Sequence, residues 1–210
     1  MPAVMPLRPE ERAAAPSRGA LVAGYLAGEE DPEAFLCDMD PPPGAYAGFN
    51  LLAISLAAGA GDVVARYLNN LPGSRIRRLP QGIHMVSNAT VDVPWPKTRR
   101  LEAALVAALA GAPLKEMVAQ TRTQGDEWLL ARLLTALGDR TVARTANLPC
   151  NGLDPDREQL LSAPFIVDDH YGTRCSTVLM VGRDGRVTFT ESSFGPGGQP
   201  LGTVTERFVI

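Results

Sequence analysis

Cysteine is nearly absent from this chain, with three in 210 residues, at 37, 150 and 175. An odd count at wide spacing supplies neither a disulfide framework nor the paired spacing of a metal site. Histidine is scarcer still, with His84 and His170 alone. No apolar run is long and uninterrupted enough to cross a bilayer. No apolar segment follows the basic residues of the N-terminus, so a secretory signal is not expected either. The chain also lacks a Gly-x-Ser-x-Gly elbow, a Walker loop and a Gly-x-Gly-x-x-Gly fingerprint. These absences point to a reducing, cytoplasmic compartment and exclude the common nucleotide-binding loops.

An excess of positive charge is missing as well. The formal net charge is −3 and the sequence pI about 5.4, which argues against a general nucleic-acid binder. The local balance differs between 75 and 100. Arg75, Arg77, Arg78, Lys97, Arg99 and Arg100 stand there against one acid, Asp92. Two readings follow: a solvated basic face, or a site for an anionic small molecule.

What is present is ordinary globular material, 45% hydrophobic and 20% charged. Residues 1–16 are rich in Pro, Arg, Glu and Ala without periodicity and read as a flexible start. A single domain is expected over 17–210. Ser17 can cap a helix over 18–27, with Leu21, Val22, Tyr25 and Leu26 as its apolar stripe. Asp31, Pro32 and Glu33 form a cap, a first-turn proline and a first-turn acid for a helix to about 38. Strands are expected at 48–55, 62–68, 75–79 and 82–86, in an antiparallel meander.

Helix follows over 97–110, with a break at 111–113 and a shorter helix to about 120. Leu130, Leu133, Leu134 and Leu137 carry the helical period over 126–137. Loop dominates 139–163, with a short helix at 157–161. Strands at 173–182 and 186–192 flank Asp184-Gly185, a hairpin signal. The glycine-rich 195–198 reads as a surface turn, and 207–210 as an edge strand. Strands, then helices, then strands give an α+β fold with antiparallel pairing.

Several residues bear chemistry. Cys175, on a strand without a basic or histidine partner at strand spacing, reads as a buried structural thiol rather than a nucleophile. Asp168-Asp169-His170 offers metal-binding residue types, but a solvated loop explains them equally well, and no metal site is expected. Arg174, on a strand among apolar neighbours, is expected to be buried. It then needs a partner, either a carboxylate or a ligand. Ser87-Asn88 with Asp92, Pro94 and Trp95 is the most specific constellation. An amide at a strand end can donate to a developing oxyanion. Equally, Asn88 and Asp92 can bond turn backbone while Trp95 packs in the core.

Three blocks in order resemble one family. They are Tyr46-Ala47-Gly48-Phe49-Asn50-Leu51-Leu52; Ser87-Asn88 with Val93-Pro94-Trp95-Pro96-Lys97; and Tyr171-Gly172-Thr173-Arg174 with Ser176-Thr177-Val178. Ser17-Arg18-Gly19 with Leu21-Val22 fits too. They are similar to the transport and Golgi organisation protein family, also called NRDE proteins after an Asn-Arg-Asp-Glu motif. The resemblance implies an N-terminal nucleophile hydrolase fold, αββα, with antiparallel sheets sandwiched between helices. In that class an exposed N-terminal residue, often cysteine, attacks an amide, with its own amine as base. Asn88 is then the candidate oxyanion-hole residue.

The chain departs from that pattern at its start, which reads Met1-Pro2, and it contains no Asn-Arg-Asp-Glu. The expectation is a fold incomplete at its N-terminus, with an exposed sheet edge open to homo-oligomer pairing. On this reading the chain binds rather than cleaves. The family implies haem or an acyl thioester or lipid as the anionic apolar ligand. The expected ligand set is Asn88, Asp92, Trp95, Lys97, Arg99 and Arg174. The rival expectation is an N-terminal cysteine amidase whose nucleophile segment is missing from this sequence.

Overall fold

The computed structural model describes residues 15–40, 42–56, 63–111, 119–149 and 152–210. They belong to two compact units, Met1–Val93 and Pro94–Ile210. The flexible start expected at 1–16, residues 15 and 16 apart, and the break expected at 112–113 lie outside the described residues.

In the first unit, helix α1 spans Gly19–Ala27 and α2 spans Pro32–Cys37. The α2 start follows its sequence signal. Asp31 Oδ1 accepts the N–H groups of Glu33 at 2.7 Å and Ala34 at 3.1 Å, satisfying two donors that the first turn would leave orphaned. Ser17 does not act as a side-chain cap. Arg18 holds the cap position without a side-chain bond, and Ser17 contributes only its carbonyl, to Ala20 N–H at 3.0 Å.

Strands β1 (Asn50–Leu56), β2 (Val63–Asn69) and β3 (Arg77–Leu79) form an antiparallel sheet in chain order. Alternation along β2 splits its side chains between two clusters. Leu68 packs with Leu21, Leu36, Tyr46, Phe49 and Ala53, and Tyr67 packs with Leu79 and Val91. Asn70, just past β2, ties the preceding loop down. Its amide donates to the carbonyls of Pro43, Tyr46 and Ala47, and its oxygen accepts Phe49 N–H at 2.9 Å.

The strand expected at 82–86 does not form. Its apolar alternation fits a strand, but its backbone is engaged elsewhere. Met85 N–H donates to Asp92 Oδ1 at 2.9 Å, and Asp92 N–H donates to Met85 O at 2.7 Å. Gly82, at φ +153°, breaks the extended path in a region that favours glycine. The segment is a loop closed on Asp92.

In the second unit, α3 spans Pro96–Gly111, α4 spans Ala119–Leu137 and α5 spans Pro155–Leu160. Helix α4 begins seven residues before the expected start, and its leucine stripe, Leu130, Leu133, Leu134 and Leu137, is half-buried. Gly111 closes tightly on α4, where a Cβ would stand 3.1 Å from the Trp128 ring.

Strands β4 (Cys175–Val181), β5 (Arg186–Phe194) and β6 (Pro200–Val209) make a second antiparallel sheet. The β4–β5 turn follows the Asp184-Gly185 signal. Gly185 N–H donates to Gly182 O at 3.0 Å, and Gly185 sits at φ +77°. Strand β6 is far longer than the edge strand expected at 207–210. It pairs with β5 from Arg186↔Val209 to Phe194↔Pro200. It is exposed at every position, so no apolar alternation marked it.

Ser176, Val178 and Thr190 lie on the buried face of this sheet. Cys175 and Thr177 fall on the opposite parity and are exposed. Cys175 is therefore not a buried thiol. Arg174 lies one residue before β4, not on the strand, and is exposed, so it needs no interior partner. The glycine-rich turn forms over Pro196–Gly198, but Gly198 is buried against Phe165.

Candidate functional site

The stretch that sequence marks as richest in chemistry straddles the division between the two units, so its residues belong to two separate local structures. In the first unit, the loop over 80–92 is held from inside by one hydrogen-bond network. Tyr67, 1% exposed, donates its hydroxyl to Asn50 Oδ1 at 2.5 Å. The Tyr67 hydroxyl oxygen in turn accepts from Asn69 Nδ2 at 2.9 Å and from Val91 N–H at 3.0 Å. Asn50 Nδ2 in turn donates to Ser87 O at 2.7 Å. The β1–β2 register creates this cluster by placing Asn50 opposite Asn69. Ser87 Oγ is buried without a hydrogen-bond partner among the described residues. Asn88, next to it, is exposed.

The outer side of the loop is closed by His84 and Asp92. His84 Nδ1 lies 2.9 Å from Asp92 Oδ2, and its Nε2 lies 2.9 Å from Pro80 O. Asp92 has φ +64°, a left-handed conformation that aspartate tolerates better than most residues. The hydrogen bond to Asp92, then that to the Pro80 carbonyl, raise the His84 pKa above 6.5, against the opposing effects of burial and Arg77. Burial pushes the Asp92 carboxyl up, but hydrogen bonds from His84 and Met85 outweigh it and hold its pKa below the usual 3.8.

In the second unit the predicted residues gather at the start of α3. Trp95 is half-buried, and its carbonyl accepts Thr98 Oγ1 at 2.9 Å and Arg99 N–H at 3.0 Å. Lys97 Nζ stands 5.5 Å from the Trp95 ring centroid and donates to Leu161 O at 3.2 Å. Burial lowers the Lys97 pKa below 10.5. Arg99 is exposed, whereas Arg100 pairs with Asp139 Oδ2 through Nε at 2.8 Å and Nη2 at 2.5 Å. The first turn of α3 carries no acid. Cations there oppose the helix dipole, which favours anions at this end.

The structure thus joins Trp95 with Lys97, and Asp92 with His84. Among the described residues, no hydrogen bond, ion pair or ring contact joins Arg174 to Trp95, Lys97 or Arg99. Sequence reasoning passed over Tyr67, Asn69 and Leu161, because only strand register and tertiary packing bring them to these positions. Two clefts of about 230 and 190 Å³ lie elsewhere in the second unit, one lined by Leu130, Met180 and Phe208, the other by Arg140, Leu160 and Phe165. None of the six predicted residues lines either cleft.

Asp168 Oδ2 accepts the N–H groups of His170 and Tyr171, which makes that triplet a turn. Among the described residues, no group of three or more His, Cys, Asp or Glu is placed to hold a metal ion. No helix among them is long and apolar enough to cross a membrane.

Comparison with known proteins gives one consistent result. The family model described as "Transport and Golgi organisation 2" matches residues 5–196. A transport and Golgi organization protein 2 homolog of Bos taurus is 31% identical over 194 residues, covering 89% of this chain and 65% of the relative. Homologs from Homo sapiens and Mus musculus are 29% and 28% identical with the same coverage. The chain therefore spans about 65% of the length of these relatives.

Proposed function

The chain belongs to the Transport and Golgi organisation 2 family, and from that premise we propose that it is a binding protein for an anionic apolar small molecule. Haem and acyl thioesters are the ligands that the family resemblance implies. The observation that carries the reading is the start of α3. Lys97 is held beside the Trp95 ring with its charge partly desolvated, Arg99 is exposed one turn into the helix, and no acid offsets them in that turn. An aromatic face beside two cations suits a ligand with an apolar body and an acidic group, because a partly desolvated charge attracts an anion more strongly than a fully hydrated one. Arg174 is the further cation proposed for this unit.

His84 does not fit the part of a haem axial ligand, since both its ring nitrogens already face oxygen atoms. Haem would be held here through its carboxylates and its ring face.

The test is equilibrium binding of palmitoyl-CoA and of haem to the purified chain, with Lys97→Met and Arg99→Ala as variants. Saturable binding, weakened about fivefold or more in each variant, is expected from the loss of roughly 1 kcal/mol per charged contact. An absent signal, or one indifferent to both variants, overturns the proposal.

A second reading, amide hydrolysis on an N-terminal nucleophile fold, draws support from the Ser87-Asn88 turn. Asn50 pins the Ser87 carbonyl at 2.7 Å, leaving Asn88 exposed on an anchored backbone. An anchored amide is what an oxyanion donor requires. Hydrolysis of N-acyl amides by the natural gene product, lost in Asn88→Ala, would favour this reading over binding alone.

A further inference from the structure

The loop over 80–92 carries an arrangement that the binding proposal does not use. Both acceptors around His84 are oxygens without protons: a carboxylate at Nδ1 and a backbone carbonyl at Nε2, each at 2.9 Å. A neutral imidazole has one N–H and one lone pair. It can satisfy one of these oxygens and must turn a lone pair toward the other. Only the doubly protonated imidazolium donates to both. The geometry therefore defines a protonation state.

That imidazolium bridges the two ends of the loop, Pro80 and Asp92. Asp92 does three things at once. Its Oδ2 faces His84, its Oδ1 accepts Met85 N–H at 2.9 Å, and its own N–H donates to Met85 O at 2.7 Å. It does so from a left-handed backbone at φ +64°, which persists only while its surroundings hold it. Among the described residues, the charged groups facing His84 are Asp92 from the loop and Arg77 from β3. Arg77 disfavours the imidazolium, and Asp92 favours it.

Two further bonds show which part of the loop would move. Ser87 is anchored through its carbonyl to Asn50, and Val91 through its N–H to the buried Tyr67 hydroxyl. Neither anchor involves His84. The segment before Ser87, which includes the exposed Ile83 and Val86, has the clasp on Asp92 as its outer fastening.

We propose that residues 80–86 form a proton-operated latch, fastened by the His84 imidazolium between Asp92 and Pro80 and released when His84 loses its proton. Release turns one ring nitrogen into an acceptor facing an acceptor. The ring swings off Asp92 or Pro80, the Met85–Asp92 pair loosens, and Ser87–Val91 stays pinned as the hinge side. The loop is then closed in mildly acidic surroundings and open in alkaline ones, a regulatory device independent of ligand binding at α3.

The experiment is an NMR titration of the full chain, following the His84 ring carbons and the Met85 and Asp92 amides. The His84 midpoint is expected above 6.5, with the Met85 and Asp92 amide shifts moving at the same midpoint. Asp92→Asn keeps the size of the side chain and its tolerance of left-handed backbone, and is expected to bring the midpoint back toward 6.5. In His84→Gln the Met85 amide shift should lose its dependence on that ionisation. If the loop of wild-type protein keeps its Met85 shift while His84 titrates, or if His84 titrates at or below 6.5, the latch does not exist.

Discussion

The Tyr67 hydroxyl and the Asn50 side chain, 17 residues apart, meet at 2.5 Å beneath the loop that carries Ser87 and Asn88. This contact is the keystone of the first unit's polar interior. One hydroxyl donates to Asn50 while accepting from Asn69 and from the Val91 backbone.

Tyr67→Phe removes that hydroxyl and leaves three groups seeking partners in a buried place. The expected loss is about 2–3 kcal/mol of unfolding free energy, since an orphaned buried polar group costs roughly 1–3 kcal/mol. Urea denaturation measures it. A loss below about 0.5 kcal/mol, the range of ordinary surface substitutions, would mean that the network is not a stabilising one.

Gly198 supplies a second prediction. It sits at φ +71°, and a Cβ there would lie 2.9 Å from Phe165 Cε1 and 3.3 Å from both Arg140 Nη2 and Val167 Cγ2. Phe165 is fixed in turn by an edge-to-face contact with Phe194 at 4.7 Å, so it has little room to yield. Gly198→Ala is expected to destabilise the second unit by about 1–3 kcal/mol through overpacking and backbone strain. Thermal denaturation of the variant beside wild type decides it, and an unchanged midpoint refutes the account.

Lys97 supplies a prediction in pH. Burial depresses its folded pKa below the 10.5 of the unfolded chain. Above 10.5 both states are neutral, and the lysine adds no proton-linked penalty. As pH falls below 10.5, the unfolded chain takes up a proton before the folded one, so stability declines until the folded pKa is passed and then levels off. Wild type should therefore gain stability relative to Lys97→Met as pH rises toward 10.5. Urea midpoints for both proteins across that range test it, and parallel curves would show that Lys97 titrates alike in both states.

The legible parts of this fold are those written in local chemistry. The α2 cap at Asp31, the Asp184-Gly185 turn and the leucine stripe of α4 depend on residues close in sequence. So does the placing of Trp95 beside Lys97 at a helix start. The misread parts turn on parity and competition. Alternation around Cys175 announces a strand, but it does not say which parity faces the core, and Ser176 and Val178 hold that side. Arg174 shares their parity but stands one residue ahead of β4, where it is exposed. The 82–86 segment alternates like a strand, yet an aspartate seven residues beyond Met85 captures its backbone. Strand β6 shows no alternation because neither of its faces is buried. The Tyr67 cluster was out of reach, since it exists only once Asn50 stands opposite Asn69.

The outward parity of β4 also has a practical side. Cys175 in the second unit and Cys37 in the first are both solvent-accessible thiols. With Cys150 replaced by serine, each compact unit would carry one native attachment point for a dye or spin label. Distance measurements between the two halves of the molecule would then need no engineered cysteine.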